Sequence, residues 1–189
     1  NIEDKTTKKV TEFYKKNPFP NYSPTDNKAT ILNRGNQNLL AHTFKKFIGL
    51  NKKILEVGCG TGQLSIFFSI GTNNQIVGLD PTEESLKLAS DFSELNKIEN
   101  VNFVKADIFD DVLKDDFFDY IWCNGVLHHT KNPYEGFKIT LKSLKMNGYI
   151  LIGLYNKIGR LRTKLRAYIY KLFGKKIIMK LDPILRNLK

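Results

Sequence analysis

Between Ile54 and Ser69 the chain reads ILEVGCGTGQLSIFFS, with glycine at positions 58, 60 and 62 and an acid, Glu56, two residues before the first of them. Glycine lets a turn take positive φ and lets a ligand come close to the backbone. A helix that opens after such a turn presents N–H groups that no intrahelical carbonyl takes up. The pattern suits a cradle for a polar, nucleotide-like ligand, although a plain strand-to-helix turn can look the same. Enzymes that bind dinucleotides use a related turn, but their glycines are spaced G-x-G-x-x-G; here the spacing is G-x-G-x-G. Asp80 closes one apolar run and Asp107 follows another. Carboxylates in such places accept hydrogen bonds from hydroxyl and amino groups. Asp80 alone would also suit a nicotinamide enzyme, where an acid lies roughly 20 residues past the glycines. His128 and His129 are adjacent. An imidazole titrates near neutrality and can act as a general base, or it can pack on a bound ligand. No cluster of acids or cysteines accompanies the pair, so no metal is expected. Cys59 and Cys123 read as small buried fillers and offer no disulfide framework.

These residues need elements to hold them. Short apolar runs stand at ILEV (54–57), QIVGLD (75–80), VNFVKA (101–106), FDYIWC (118–123) and GYILIGLY (148–155). Helical patterns fill 62–70, 82–95 and 133–145. Strand and helix alternating at this pitch predict parallel β-α-β units and an α/β, Rossmann-like, doubly wound and mostly parallel sheet with helices on both faces. Upstream, residues 4–16 suit a helix that ends before Asn17-Pro18, 17–27 a proline-rich loop, and 36–49 a second helix.

In this ordered set the chain resembles the class I S-adenosylmethionine-dependent methyltransferases. Glu56-Val57-Gly58-Cys59-Gly60-Thr61-Gly62 is similar to the family's first motif. Asp80 stands where the family has an acid that binds both ribose hydroxyls, and Ala106-Asp107-Ile108 where an acid faces the adenine amino group. Asn124-Gly125-Val126-Leu127-His128-His129 matches the segment that lines the cofactor and substrate pocket, and Leu144-Lys145-Met146-Asn147-Gly148 the "LKPGG"-like turn, with Met-Asn in place of Pro-Gly. The likeness covers about residues 50–155. It implies S-adenosylmethionine as methyl donor, S-adenosylhomocysteine as product and no metal. The implied cofactor-binding residues are Glu56, Gly58, Cys59, Gly60, Thr61, Gly62, Gln63, Asp80, Pro81, Asp107, Ile108, Asn124, Gly125 and Val126; His128 and His129 are the catalytic candidates. Asn17-Pro18-Phe19-Pro20 resembles an "NPYP" lid of a bacterial branch, which makes Tyr14, Phe19 and Tyr22 candidates for a lid or substrate contact, with Tyr155 and Asn156 at the end of the fifth run. The implied reaction is methyl transfer by in-line displacement to a small-molecule acceptor that the sequence does not identify. Two other readings stay open: a non-catalytic S-adenosylmethionine-binding or scaffold protein, and an NAD-dependent oxidoreductase, for which the glycine spacing is wrong.

At 189 residues, one domain is expected. It divides into an N-terminal helical cap or lid (1–49), a methyltransferase core (50–155) and a basic helical tail (156–189). The net charge of +11 is uneven: residues 156–189 hold 11 Lys+Arg against one acid, while residues 1–155 hold 19 against 18. Nucleic acid is therefore not the expected partner, since the basic surface does not continue onto the body. Residues 158–173 put Ile158, Leu161, Leu165, Ile169, Leu172 and Phe173 on one helical stripe, with breaks expected near Gly174 and Pro183. Such a helix can pack on the domain or a partner, or lie on an anionic membrane or lipid-like acceptor. No apolar run spans a bilayer and no signal-peptide core opens the chain, so a cytoplasmic location is expected. The chain begins without Met, as a trimmed chain would, and IIMKL (177–181) is the one candidate for a sixth strand; either the hairpin that closes the family's sheet lies beyond this chain or the tail replaces it.

Overall fold

The apolar runs become five strands: β1 (Lys53–Val57), β2 (Gln75–Asp80), β3 (Val101–Lys105), β4 (Phe118–Asn124) and β5 (Leu144–Gly153). All four pairings are parallel, in the order β3-β2-β1-β4-β5. The computed structural model describes residues 5–156, 159, 161, 165 and 167–172. The chain forms two compact units, Asn1–Leu154 and Tyr155–Lys189.

In the first unit, six α-helices among the described residues accompany the strands: α1 (Lys5–Lys16), α2 (Lys28–Gln37), α3 (Leu39–Ile48), α4 (Gln63–Ser69), α5 (Glu83–Leu95) and α6 (Pro133–Lys142), with a short 3-10 turn at Leu127–His129. The two faces of the sheet carry separate cores, because strands buried on both sides must be covered twice. One core joins Ile54, Ile76 and Trp122 to Ile31, Phe44, Phe67, Phe68 and Phe92 from the helices. The other gathers Leu55, Leu79, Ile121 and Cys123 with Ile108 and Leu127. This is the α/β Rossmann-like arrangement that the alternation predicts.

Three elements depart from expectation. The helix predicted over 36–49 is α3, which begins only at Leu39, because residues 36 and 37 end α2. Asn38 ends α2 by donating its N–H to the carbonyls of Arg34 and Gly35, and its side chain then caps α3 by accepting from the Ala41 amide at 3.1 Å. α2 itself is unforeseen; it opens with a capping box in which Asn27 accepts from the amides of Ala29 and Thr30 while Thr30 accepts from the Asn27 amide. α6 stops at Lys142 and β5 begins at Leu144, earlier than the predicted 148. The residues after Leu144 form an irregularity: Phe118 pairs with Leu144 but Tyr120 with Tyr149. Asn147 takes φ +68 there, a left-handed conformation that Asn tolerates better than most side chains.

Half-buried Lys45 of α3 closes the end of α4 by donating to the carbonyls of Phe67 and Ile70, and its partial burial lowers its ammonium to about 8. In the second unit, positions 161, 165 and 167–172 are helical, and Leu161, Leu165, Tyr168 and Leu172 are exposed. Ile158, Phe173, Gly174, Pro183 and the candidate strand 177–181 lie outside the described residues. Among the described residues no helix is long and apolar enough to cross a membrane.

Candidate functional site

The strand order makes a topological switch point between β1 and β4. From β1 the chain builds outward through β2 and β3, then crosses back to β4 and β5 on the other side. In such sheets a crevice opens outside the carboxyl ends of the strands at that point. The glycine turn leaves β1 there, Asp80 ends β2, Ala106-Asp107-Ile108 follows β3, and Asn124-Gly125-Val126 closes β4. Glu56, Gly58 to Gln63, Asp80, Pro81, Asp107, Ile108 and Asn124 to Val126 therefore share one edge of the sheet.

Gly58, Gly60 and Gly62 have φ of +69°, +53° and +72°, a region that side chains other than glycine's rarely enter. Each also has a protein neighbour in the space a Cβ would take: the Val126 side chain at Gly58, the Phe19 carbonyl oxygen at Gly60 and the Phe103 ring at Gly62. The Asp80 carboxylate binds this turn to β2, accepting from the Gly60 amide at 2.9 Å and the Thr82 amide at 2.8 Å. Burial raises the Asp80 carboxyl above its ordinary value, against the pull of those amides. Glu56 is buried beneath the turn and accepts from the Ser65 hydroxyl of α4 at 2.5 Å. Burial pushes its carboxyl to about 8; the Ser65 hydroxyl and amide oppose the rise, and the Asp80 charge adds to it. Burial also lifts the Cys59 thiol well above its usual value and Cys123 to about 12, so neither is a thiolate near neutrality.

The proline-rich segment lies directly on the turn. The Thr61 hydroxyl donates to the Pro20 carbonyl, and the Gln63 amide donates to the carbonyls of Pro20 at 3.3 Å and Asn21 at 3.0 Å. The Tyr22 hydroxyl donates to the Thr61 carbonyl at 2.9 Å, and its ring stacks on Phe92 of α5 with centroids 4.4 Å apart. Burial raises the Tyr22 phenol. Behind the segment, Arg34 of α2 grips Asp26 with two hydrogen bonds of 2.7 Å, which holds the Asp26 carboxyl below its usual range. α1 continues the strap: Lys15 pairs with Glu84 of α5 at 3.0 Å, and the helix also packs against the Leu127–His129 turn. It thus runs from the β2 side of the crevice to the β4 side. Phe19 meets the turn through its carbonyl while its side chain is exposed; Tyr14 is half-buried, edge-on to Phe13 at 5.2 Å.

Asp107 Oδ1 accepts from the Phe109 amide at 3.0 Å, which fixes the loop after β3. The Asn124 amide lies against Gly153 at the end of β5. His128 and His129 sit on the 3-10 turn with ring centroids 4.1 Å apart; His128 is half-buried and His129 exposed. Among the described residues, no group of three or more His, Cys, Asp or Glu is arranged to hold a metal ion. Tyr155 and Asn156 begin the second unit. Sequence reasoning missed Ser65 and the Asp26–Arg34 pair. A serine three residues past Gly62, at the first turn of a helix, was the available signal for the first; the second is visible only once α2 exists.

The residues present fit a ligand of nucleoside character: carboxylates at the ends of the neighbouring strands β2 and β3, beside the glycine-rich turn that leaves β1. Comparison with known proteins agrees. A family profile described as a methyltransferase domain matches residues 48–185. The ubiquinone biosynthesis O-methyltransferase of Glaesserella parasuis serovar 5 (strain SH0165) is 30% identical over 152 residues, which cover 76% of this chain and 60% of that protein. The chain therefore spans little more than half the length of this curated relative. Among solved structures, the YcgJ protein of Bacillus subtilis superposes with a TM-score of 0.59 at 24% identity, over 69% of this chain and 57% of that one. A methyltransferase from Geobacter sulfurreducens, determined with S-adenosyl-L-homocysteine, gives 0.53 at 17% identity, over 80% of this chain and 56% of that one. Both likenesses speak to the fold, which matches the sheet and crevice described above. With its glycine turn, its strand-end acids and a profile match over most of its length, the chain belongs to the class I S-adenosylmethionine-dependent methyltransferases.

Proposed function

We propose that the chain binds S-adenosylmethionine at the switch-point crevice and transfers its methyl group to a small-molecule acceptor. The observation that carries this reading is the convergence of Glu56, the glycine turn, Asp80 and Asp107 on one sheet edge. S-adenosylmethionine supplies a methyl group already activated by its sulfonium charge. The residues then have three tasks. Asp80 and Asp107, whose oxygens retain lone pairs beyond the amide bonds they accept, take hydrogen bonds from ribose hydroxyls and the adenine amino group. Residues 13–22 cover the crevice and keep water from the reacting atoms, with the acceptor held at near-attack distance, about 3–3.5 Å. His129 takes a proton from a hydroxyl or ammonium acceptor, with His128 packed beside it. The relative named for an O-methylation in ubiquinone biosynthesis makes phenolic, lipid-like acceptors the first class to assay.

The test is binding followed by turnover. S-adenosylhomocysteine should raise the melting temperature and NAD should not; labelled methyl should then pass from donor to a phenolic or other small acceptor. Donor binding without transfer to any acceptor would favour the non-catalytic reading, and a response to NAD alone would overturn the assignment.

A second observation bears on partners. Exposed Leu161, Leu165, Tyr168 and Leu172 recur at helical spacing in a segment that carries +10. We infer that this tail rests on an anionic lipid surface. Co-sedimentation with anionic vesicles should be strong at low salt, weak at high salt, and absent from a chain ending at Tyr155; no binding at low salt would end this reading.

A further inference from the structure

The acid of the glycine turn is held from behind. Glu56 is 5% exposed and Ser65 1%, and the Ser65 hydroxyl donates to Glu56 Oε2 at 2.5 Å. Ser65 is the third residue of α4, whose N-cap position is Gly62 and makes no side-chain capping bond. A carboxyl reaching over from β1 thus stands where a capping side chain would, and Ser65 joins strand to helix directly beneath the turn. Among the described residues, the titratable groups that face this carboxyl are Asp80 on β2, the Cys59 thiol in the turn and the Tyr22 phenol of the strap. None of them is a cation. Near neutrality such a carboxyl keeps its proton, and a positive group brought by a ligand favours its charged form; both S-adenosylmethionine and its product carry an ammonium group.

We propose that Ser65 is a positioning residue of the donor site: its hydroxyl fixes the orientation of the Glu56 carboxyl under the glycine turn and stabilises its charged form for a cationic ligand. The inference rests on the cofactor reading above. A hydroxyl donating to a carboxylate favours the ionised form, so removing it leaves the acid protonated to higher pH. The wild-type carboxyl, pushed to about 8 by burial, then governs how affinity changes with pH.

The experiment is calorimetric titration of the full chain with S-adenosylhomocysteine from pH 6 to 9, in buffers of differing ionisation enthalpy so that proton release is read alongside affinity. Wild-type affinity should rise with pH and level off above about pH 8, with protons released on binding below that point. Ser65→Ala should bind roughly 10-fold or more weakly at neutral pH, as expected for losing a hydrogen bond to a charged group, with the rise displaced upward. Ser65→Thr should restore the wild-type curve, and Glu56→Gln should abolish both pH dependence and proton release. Ser65→Cys, a weaker donor of similar size, should fall between alanine and wild type and serves if the alanine variant does not fold. Wild-type affinity and pH profile in Ser65→Ala or Ser65→Cys would overturn the inference while leaving the cofactor reading intact. Failure of the wild-type chain to bind S-adenosylhomocysteine would overturn both.

Discussion

Gly60→Ala separates two reasons for a glycine at that position. Its φ is +53°, and Gly71, far from the crevice, has φ +70°. Alanine in this region costs about 1–2 kcal/mol from backbone strain. Nothing lies within 4 Å of a Cβ added at Gly71, so strain should be its whole effect. At Gly60 the added Cβ would overlap the Phe19 carbonyl oxygen, which belongs to backbone and cannot swing aside. The strap must lift, and the bonds from Thr61 to Pro20, from Gln63 to Pro20 and Asn21, and from Tyr22 to Thr61 go with it. Each is a net contribution of about 0.5–1.5 kcal/mol, reduced where water replaces it. Gly60→Ala should therefore cost roughly 2–3 kcal/mol more than Gly71→Ala, measured by denaturant unfolding. Limited proteolysis should show faster cleavage within residues 1–22. In a chain that begins at Asn21 the excess should vanish, because the clashing carbonyl is gone; this closes a cycle that isolates the contact. Equal costs of the two substitutions in the full chain, or an excess that survives the truncation, would refute the reasoning.

Three further outcomes follow from the site. Asp80→Ala should weaken S-adenosylhomocysteine by about 10–100-fold in calorimetry, the loss expected for a charged acceptor, with its melting temperature measured alongside because the Gly60 and Thr82 amides lose their acceptor. His129→Ala should lower methyl transfer by about 10²–10⁴-fold with S-adenosylhomocysteine affinity unchanged; a parallel loss of affinity would instead assign the ring to ligand packing. Glu56 should make the fold less stable as pH rises: the folded state keeps a proton up to about 8 that the unfolded chain sheds near the ordinary value of 4.5, so unfolding releases a proton across that window and stability declines through it. Glu56→Gln should flatten this decline in thermal melts from pH 5 to 8, and an unaltered slope would exclude Glu56 as its source.

What could be read from the sequence follows the range of the interactions that decide each element. The runs at 54–57, 75–80 and 118–123 declare themselves because central strands covered on both faces are mostly apolar, and the edge strand at 101–105, largely exposed, still shows through Val101, Phe103 and Val104. The strand-end acids follow, since an acid closing such a run lies at the edge where ligands bind. α2 escaped notice because its capping box uses Thr30, where the usual signal is Glu or Gln. The early start of β5 escaped because Leu144 is paired by Phe118 through a shifted register, which Lys145-Met146-Asn147 does not announce. Ser65 escaped because its importance depends on where the Glu56 side chain goes after leaving the strand.

The glycine turn shows how far a motif and its structure can differ in what they explain. Sequence logic gives the freedom of Gly58, Gly60 and Gly62 to a ligand that must approach the backbone. In the folded chain each has a neighbour of its own: Val126 from the end of β4, the Phe19 carbonyl from the strap and Phe103 from β3. Asp80 then joins the turn to β2 through the Gly60 amide, and Glu56 lies beneath it against α4. Four strands, a helix and the N-terminal strap thus converge on five residues. A turn held this way is ordered by its own neighbours, its amides bonded to Leu79, Asp80, Phe19 and Cys59, so the acids around it are set in advance and the binding free energy is not spent on ordering them. The same convergence makes the turn intolerant of change: a side chain at any of the three glycines displaces a different element, so the G-x-G-x-G spacing is fixed by packing before any ligand is considered.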